Sequence, residues 1–265
     1  MRDTPLLEIR SLGKRFPARH GREPSPWVIQ DLSFSVGAGE FLTIIGPSGA
    51  GKSTLLNMIA QIDTASAGEI VFNGETVNSH DARMLRPGFD RRIGYVTQDD
   101  NLLPWRTTID NVLFPIEVQG RLNDETRAQA DVLVRAVGLA GFERYYPHEL
   151  SGGMRKRAAL IRTLVYDPPM ILMDEPFAAV DAQTRAQLQE DLLRLWSLKR
   201  KTIIFVTHDI TEAIALGDRA LVLTRRPAHI AADHPIPIPR PRNVKDIFTM
   251  PGFASIYERI RADVQ

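Results

Sequence analysis

Apolar and polar residues alternate in three short segments of the first part of the chain: 6–12, 31–36 and 68–74. Leu32 and Phe34, for example, are separated by one polar residue. This period is typical of strands in an antiparallel sheet that has one exposed face. The pattern predicts a small antiparallel β-subdomain.

Four other segments are continuously apolar: 40–46, 170–176, 202–209 and 219–224. Such runs suit strands that are buried on both faces, as in a parallel sheet covered by helices on each side. We therefore expect an α/β core with a mostly parallel sheet.

Strand patterns disappear between Thr97 and Asp167. Asn123 or Asp124 is a candidate helix cap there, and both remain open. The apolar residues that follow at near-helical spacing are Ala128, Val132, Ala136 and Leu139. This pattern predicts a helical subdomain inserted between two strands of the core.

Prolines dominate residues 235–242, a composition that neither a helix nor a central strand tolerates. Apolar residues with helical spacing follow at Phe253, Ile256, Tyr257 and Ile260. We expect a short helix docked on its own core, with a partner-binding helix as the alternative. The predicted organisation is a β-subdomain and core in 1–97 and 168–230, a helical subdomain in about 98–167, and a tail in 231–265.

Composition excludes several classes of protein. The net charge of +1 argues against a dedicated nucleic-acid binder, and the lack of cysteine excludes disulfides and thiolate metal sites. No run approaches the roughly 18 apolar residues of a membrane span. We expect a soluble, cytoplasmic chain that meets a membrane only through a partner.

The segment Gly46–Ser53 matches the P-loop pattern G-x-x-x-x-G-K-S, between a buried strand and an apolar helix. Its glycines let backbone N–H groups point at phosphate oxygens, Lys52 adds a positive charge, and Ser53 offers a hydroxyl to Mg²⁺. The alternative is a glycine-rich turn that binds nothing. The residues expected around the phosphates are Gly46, Pro47, Ser48, Gly49, Ala50, Gly51, Lys52, Ser53 and Thr54.

Polar residues end three of the predicted strands. Asp174 is placed to hold the Mg²⁺ shell and Glu175 to polarise a water as general base, unless both only cap the next helix. His208 is a candidate γ-phosphate contact, with a structural role as the alternative, and the segment from Asp209 predicts a capping box with Glu212. Gln98 is a candidate ligand of Mg²⁺ or of water.

A second phosphate-seeking element, Ser151–Gly153, precedes a predicted helix. Together with the P-loop and the strand-end residues, it resembles the ATP-binding cassette (ABC) family of transporter ATPases over about residues 6–230. The resemblance identifies Gly46–Ser53 as Walker A, Gln98 as the Q-loop, Leu150–Met154 as the signature, Asp174 and Glu175 as Walker B and its base, Asp181 as the D-loop, and His208 as the switch histidine.

The resemblance implies ATP and Mg²⁺ as cofactors and a head-to-tail homodimer. Ser151, Gly152 and Gly153 of one subunit would contact the γ-phosphate held by Lys52 of the other. Phe16 would stack on adenine, with core packing as the alternative. The signature departs from its commonest form at Met154, where Gln is usual.

Four segments further resemble the import group for nitrate, sulfonate, taurine and bicarbonate: 102–112, 173–185, 207–219 and 237–242. This resemblance implies an integral permease, a solute-binding protein, and a peripheral position on the cytoplasmic face of the inner membrane. Leu102–Trp105 would dock on the permease, unless they pack within the helical subdomain.

Three alternatives remain open at the sequence level. Another transport branch, such as lipid or cofactor traffic, would keep the same ATPase. An ABC ATPase acting on nucleic acid or ribosomes usually has tandem cassettes or coiled-coil insertions, and a P-loop kinase would leave the signature and His208 unexplained. The basic run Arg155–Arg157 is expected to be a solvated helix face, with a role near phosphate as its alternative.

Overall fold

The computed structural model describes residues 4–17, 25–79 and 92–264. The predicted subdomains also include residues 1–3, 18–24, 80–91 and 265, which lie outside this description. The strands are β1 (Leu7–Lys14), β2 (Ile29–Val36), β3 (Phe41–Ile45), β4 (Ala67–Phe72), β5 (Glu75–Ser79), β6 (Ile93–Val96), β7 (Met170–Asp174), β8 (Thr202–Thr207), β9 (Arg219–Leu223) and β10 (Ile230–Pro235). The helices are α1 (Lys52–Ile59), α2 (Thr108–Val118), α3 (Asp124–Ala136), α4 (Gly152–Leu164), α5 (Ala182–Lys199), α6 (Ile210–Leu216) and α7 (Phe253–Asp263).

The amino-terminal sheet is antiparallel and has the strand order β2-β1-β4-β5. In its register Leu7 lies opposite both Val36 and Phe72, and all three side chains are buried. The alternating pattern of apolar residues therefore predicted this sheet correctly, because one face covers the core and the other meets solvent.

The larger sheet has the strand order β10-β9-β3-β8-β7-β6, and its strands are parallel except for β10. β3 and β8 are buried along their whole length, as continuous apolar runs require. The α/β fold with a flanking antiparallel sheet is thus confirmed. β10 lies in the segment predicted to be a tail, and it occupies the edge of the sheet, where its terminal Pro235 removes no ladder bond.

Helices α2, α3 and α4 form the insertion between β6 and β7 and share a buried apolar cluster with α5. Asn123 caps α3 by accepting a hydrogen bond from the Thr126 N–H at 2.9 Å, which decides between the two candidate caps. α7 buries Phe253, Ile256 and Ile260 against α6 and β10, in agreement with a docked helix. No helix among the described residues combines the length and apolar character needed to cross a bilayer.

Candidate nucleotide site

The loop between β3 and α1 is shaped as a cradle. Gly49 and Gly51 have φ angles of +79° and +89°, a left-handed conformation that side chains disfavour. α1 begins at Lys52 with no side-chain cap and no acidic residue in its first turn. Its first N–H groups and its positive dipole end are therefore available to an anion.

A cavity of about 330 Å³ opens over this loop. Its lining includes Ser48 to Thr54, and residues from three other parts of the sheet's edge: Gln98, Asp174, Glu175 and Arg226. Gln98, Asp174 and Glu175 were predicted from the sequence to lie near the P-loop, because the carboxyl ends of parallel strands meet at one edge of a sheet.

Lys52 is buried at the base of the cavity. Its Nζ donates hydrogen bonds to the carbonyls of Gly46 at 2.8 Å and Pro47 at 3.1 Å, and it lies 3.7 Å from Glu175 Oε1. Burial lowers the pKa of Lys52, while Glu175 and Asp174 act in the opposite direction. Hydrogen bonds to the two carbonyls hold the ammonium group at the base of the cavity.

Asp174 and Ser53 form a small oxygen donor set. Burial raises the pKa of Asp174, and a hydrogen bond from the Ser53 side chain opposes that rise. Among the described residues no three His, Cys, Asp or Glu side chains cluster as a metal site. One carboxylate and one hydroxyl fit Mg²⁺, which usually takes its other ligands from phosphate and water.

Glu175 lies between Lys52 and His208. Its Oε2 is 2.9 Å from His208 Nδ1, and its own N–H donates to the Val206 carbonyl at 3.0 Å. Its φ angle of +44° is uncommon for a glutamate, and strain of this kind costs of order 1 kcal/mol and concentrates at functional sites. No local pattern of residues predicts this backbone conformation of Glu175.

Only one of the two contacts of the predicted capping box forms: Asp209 caps the helix, but Glu212 does not reach back to Asp209. Asp209 accepts hydrogen bonds from the N–H groups of Thr211 at 2.8 Å and Glu212 at 3.1 Å, as a cap does. The Glu212 carboxylate, however, accepts from the Thr207 hydroxyl at 2.5 Å and from Gln189 at 2.7 Å. Burial under α5 turns Glu212 inward, because these donors satisfy its oxygens away from water.

Glu212 should make folding stability depend on pH. Burial raises its pKa, so the unfolded chain releases this proton at lower pH than the folded chain does. Its contribution is present below the ordinary glutamate pKa and is lost as pH rises through the folded pKa. We expect Glu212→Gln to lose less stability than wild type as pH rises above the ordinary glutamate pKa, in denaturant unfolding at a series of pH values. Equal pH dependence in both proteins, with exposed Glu258→Gln as the control, would contradict this assignment.

The signature segment Leu150–Met154 contributes Ser151, Gly153 and Met154 to the lining of a second surface cavity, separate from that of the P-loop. Ser151 caps α4 by accepting from the Met154 N–H at 3.3 Å. Gly153 approaches Thr184 so closely that a Cβ would lie 2.7 Å from the Thr184 Cγ2 atom. Ser151, Gly152 and Gly153 do not line the P-loop cavity of the same chain. Asp181, the predicted D-loop residue, caps α5 by accepting a hydrogen bond from the Thr184 N–H at 3.0 Å.

The basic run in α4 is not a solvated face, so that prediction is wrong. Arg155 pairs with Asp100 at 3.1 Å, and the Lys156 ammonium donates to the Gln98 carbonyl. Arg157 pairs with Asp191 at 3.1 Å. Arg155 and Lys156 thus satisfy a carboxylate and a carbonyl of the segment after β6, whereas the partner of Arg157 lies on α5.

The remaining candidates fall outside the cavity. The Met154 side chain packs against the helical core, and Leu102 is buried there, whereas Trp105 is 71% exposed. Phe16 is 41% exposed at the end of β1, with the Lys14 ammonium 5.1 Å from its ring centroid. The adenine contact of Phe16 and the docking role of Trp105 stay predictions.

Comparisons with known proteins agree on one family. The ABC transporter family model matches residues 29–178. The taurine import ATP-binding protein of Rhizobium johnstonii is 39% identical over 261 residues, which cover 97% of this chain and 95% of the relative. The aliphatic sulfonates import ATP-binding protein of Bacillus subtilis is 39% identical over 238 residues, 90% of this chain and 87% of the relative.

Solved structures give the same result. A dimeric ATP-binding cassette in a post-hydrolysis state, bound to ADP and Pi, aligns with a TM-score of 0.71 and 30% identity. The alignment covers 87% of this chain and 98% of that one.

Proposed function

This chain belongs to the ABC transporter family and is an ATPase, and we propose that it energises a membrane importer for small organic anions such as aliphatic sulfonates or taurine. The observation that carries the ATPase site is the cavity in which the P-loop faces Asp174 and Glu175. The import branch is supported by the names of relatives that match nearly the full chain.

The residues of the cavity, together with His208 beside Glu175, divide the chemistry among them. P-loop N–H groups and Lys52 bind the phosphates, and Ser53 with Asp174 would hold Mg²⁺, which neutralises phosphate charge when bound. Glu175 accepts the proton of the attacking water. His208, hydrogen-bonded to Glu175, orients that carboxylate and contacts the γ-phosphate, and Gln98 lies at the cavity wall to position metal or water.

A second copy of the chain completes each site in this proposal. Ser151 and the two glycines after it lie at the start of α4, whose first turn carries no acidic residue. They offer a hydroxyl and N–H groups to phosphate, yet they lie away from the P-loop of their own chain. The dimeric state of the similar cassette supports a pair of subunits. In our proposal the pair is head-to-tail, and Asp181 lies near the same interface.

The proposed partners are an integral permease and, through it, a solute-binding protein. An exposed Trp105 beside the Q-loop is a suitable anchor for the permease, since aromatic side chains dominate many interfaces. The proposed location is the cytoplasmic face of the membrane, held there by the permease.

Uptake in the source organism tests the proposed function. A strain without this chain should lose ATP-dependent uptake of labelled taurine or alkanesulfonate, and the wild-type chain should restore it. Glu175→Gln should not restore it, whereas Glu258→Gln should. Normal uptake of both anions in the deletion strain, together with a lipid-traffic protein that co-purifies with the tagged chain from wild-type membranes, would favour another transport branch.

A further inference from the structure

The turn between β9 and β10 brings an arginine to the P-loop. β9 is the parallel neighbour of β3, with Ile45 opposite Val222, so the segments after these strands lie side by side. Arg226 Nε donates a hydrogen bond to the Gly49 carbonyl at 2.7 Å. Arg226 thereby joins the lining of the nucleotide cavity.

Hydrogen bonds hold this turn in place. The Thr224 N–H donates to the His229 carbonyl at 3.0 Å, and the Thr224 hydroxyl donates to the Pro227 carbonyl at 3.3 Å. The Ala228 N–H donates to the Val28 carbonyl at 2.9 Å, which ties the turn to the start of β2. The guanidinium group is therefore presented by a supported turn.

A polyphosphate bound in this cavity would require positive charge from the lining residues. Its ionisable lining consists of two cations, Lys52 and Arg226, and two anions, Asp174 and Glu175. Lys52 is already engaged with Glu175 and with backbone carbonyls. Within the described part of the chain, the terminal nitrogens of Arg226 have no protein partner, so their N–H groups remain available beside the cradle.

We propose that Arg226 is a phosphate-binding residue of this ATPase. Its Nε fixes the apex of the P-loop at Gly49, and its terminal nitrogens contact the polyphosphate of the bound nucleotide. A planar guanidinium can do both at once, because its five donors point in different directions. The proposal rests on ATP binding at the P-loop and adds a contact from a turn outside the family's motifs.

Calorimetric titration of the full chain with ATP and with inorganic tripolyphosphate tests this role. We expect Arg226→Ala to weaken both ligands about tenfold, as loss of a charge-assisted hydrogen bond does. Arg226→Lys should fall between Arg226→Ala and wild type, because it keeps the charge and loses the fork. Arg225→Ala removes the same charge from the neighbouring exposed position and should leave both affinities unchanged.

Several results would overturn the proposal. These are wild-type affinity in Arg226→Ala, an equal loss in Arg225→Ala, or a loss for ATP without a loss for tripolyphosphate. A lowered unfolding temperature of nucleotide-free Arg226→Ala, with Arg226→Lys binding no better, would make Arg226 a structural residue only. Lys52→Ala separates the two proposals: if it binds ATP normally, the P-loop assignment itself fails.

Discussion

Glu175→Gln should lower the steady-state ATPase rate by about a hundredfold or more while ATP still binds, because an amide cannot accept the proton of water. The substitution keeps the size of the side chain. It also keeps one oxygen that can contact His208 Nδ1, which lies 2.9 Å from the Glu175 carboxylate in the wild-type chain. Glutamine also has the same backbone preferences as glutamate, so the substitution adds no strain at the φ angle of +44°. The expected loss is therefore chemical rather than structural.

ATPase assays and equilibrium ATP binding on one preparation measure both halves of this result. With hydrolysis blocked, ATP should also hold subunits together as dimers that sediment faster than the nucleotide-free chain. Glu258→Gln is the matched control, since its side chain is 63% exposed on α7. Turnover by Glu175→Gln at the wild-type rate would remove Glu175 from the role of general base.

Lys52→Ala should weaken ATP binding about a hundredfold. Lys52 is the buried cation at the base of the cradle, and hydrogen bonds to charged groups contribute about 1.5–3 kcal/mol each. Two such contacts to phosphate correspond to about two to four powers of ten in Kd, and the expected loss is the lower end of this range. Titration with ATP measures the loss directly.

The control for Lys52→Ala is Lys199→Ala, which removes the same charge from an exposed position on α5. Within the described residues the Lys199 ammonium pairs with Asp167. The Gly46 and Pro47 carbonyls lose a donor in Lys52→Ala, so thermal unfolding without nucleotide must accompany the titration. Unchanged ATP affinity in a folded Lys52→Ala chain would contradict the phosphate role.

Local patterns made much of the site predictable. The P-loop is contiguous in sequence, and its glycines are required by the backbone of that one loop. Asp174 and Glu175 could be placed because an apolar run reveals the buried strand, and the end of a parallel strand reveals the edge on which they lie. The two sheets were likewise predictable, because alternating apolar residues indicated the antiparallel sheet and continuous apolar runs indicated the parallel one.

Contacts between distant segments could not be predicted in this way. Arg226 lies in the turn between β9 and β10, which carries no recognisable motif, and only the register of β9 beside β3 brings it to Gly49. The pairing of Lys156 with the Gln98 carbonyl depends on how α4 packs beside β6. The inward position of Glu212 depends on Gln189, which lies on another helix.

Mixing two inactive variants tests most directly the central proposal, that each ATP site takes its P-loop from one chain and its Ser151 turn from another. Ser151→Ala and Lys52→Ala should each show little ATPase activity alone. Mixed dimers regain one intact site, so an equal mixture should reach up to roughly a quarter of wild-type activity, since random pairing makes half of the dimers mixed. Activity that stays at the level of the separate variants, in mixtures that form dimers, would contradict shared sites.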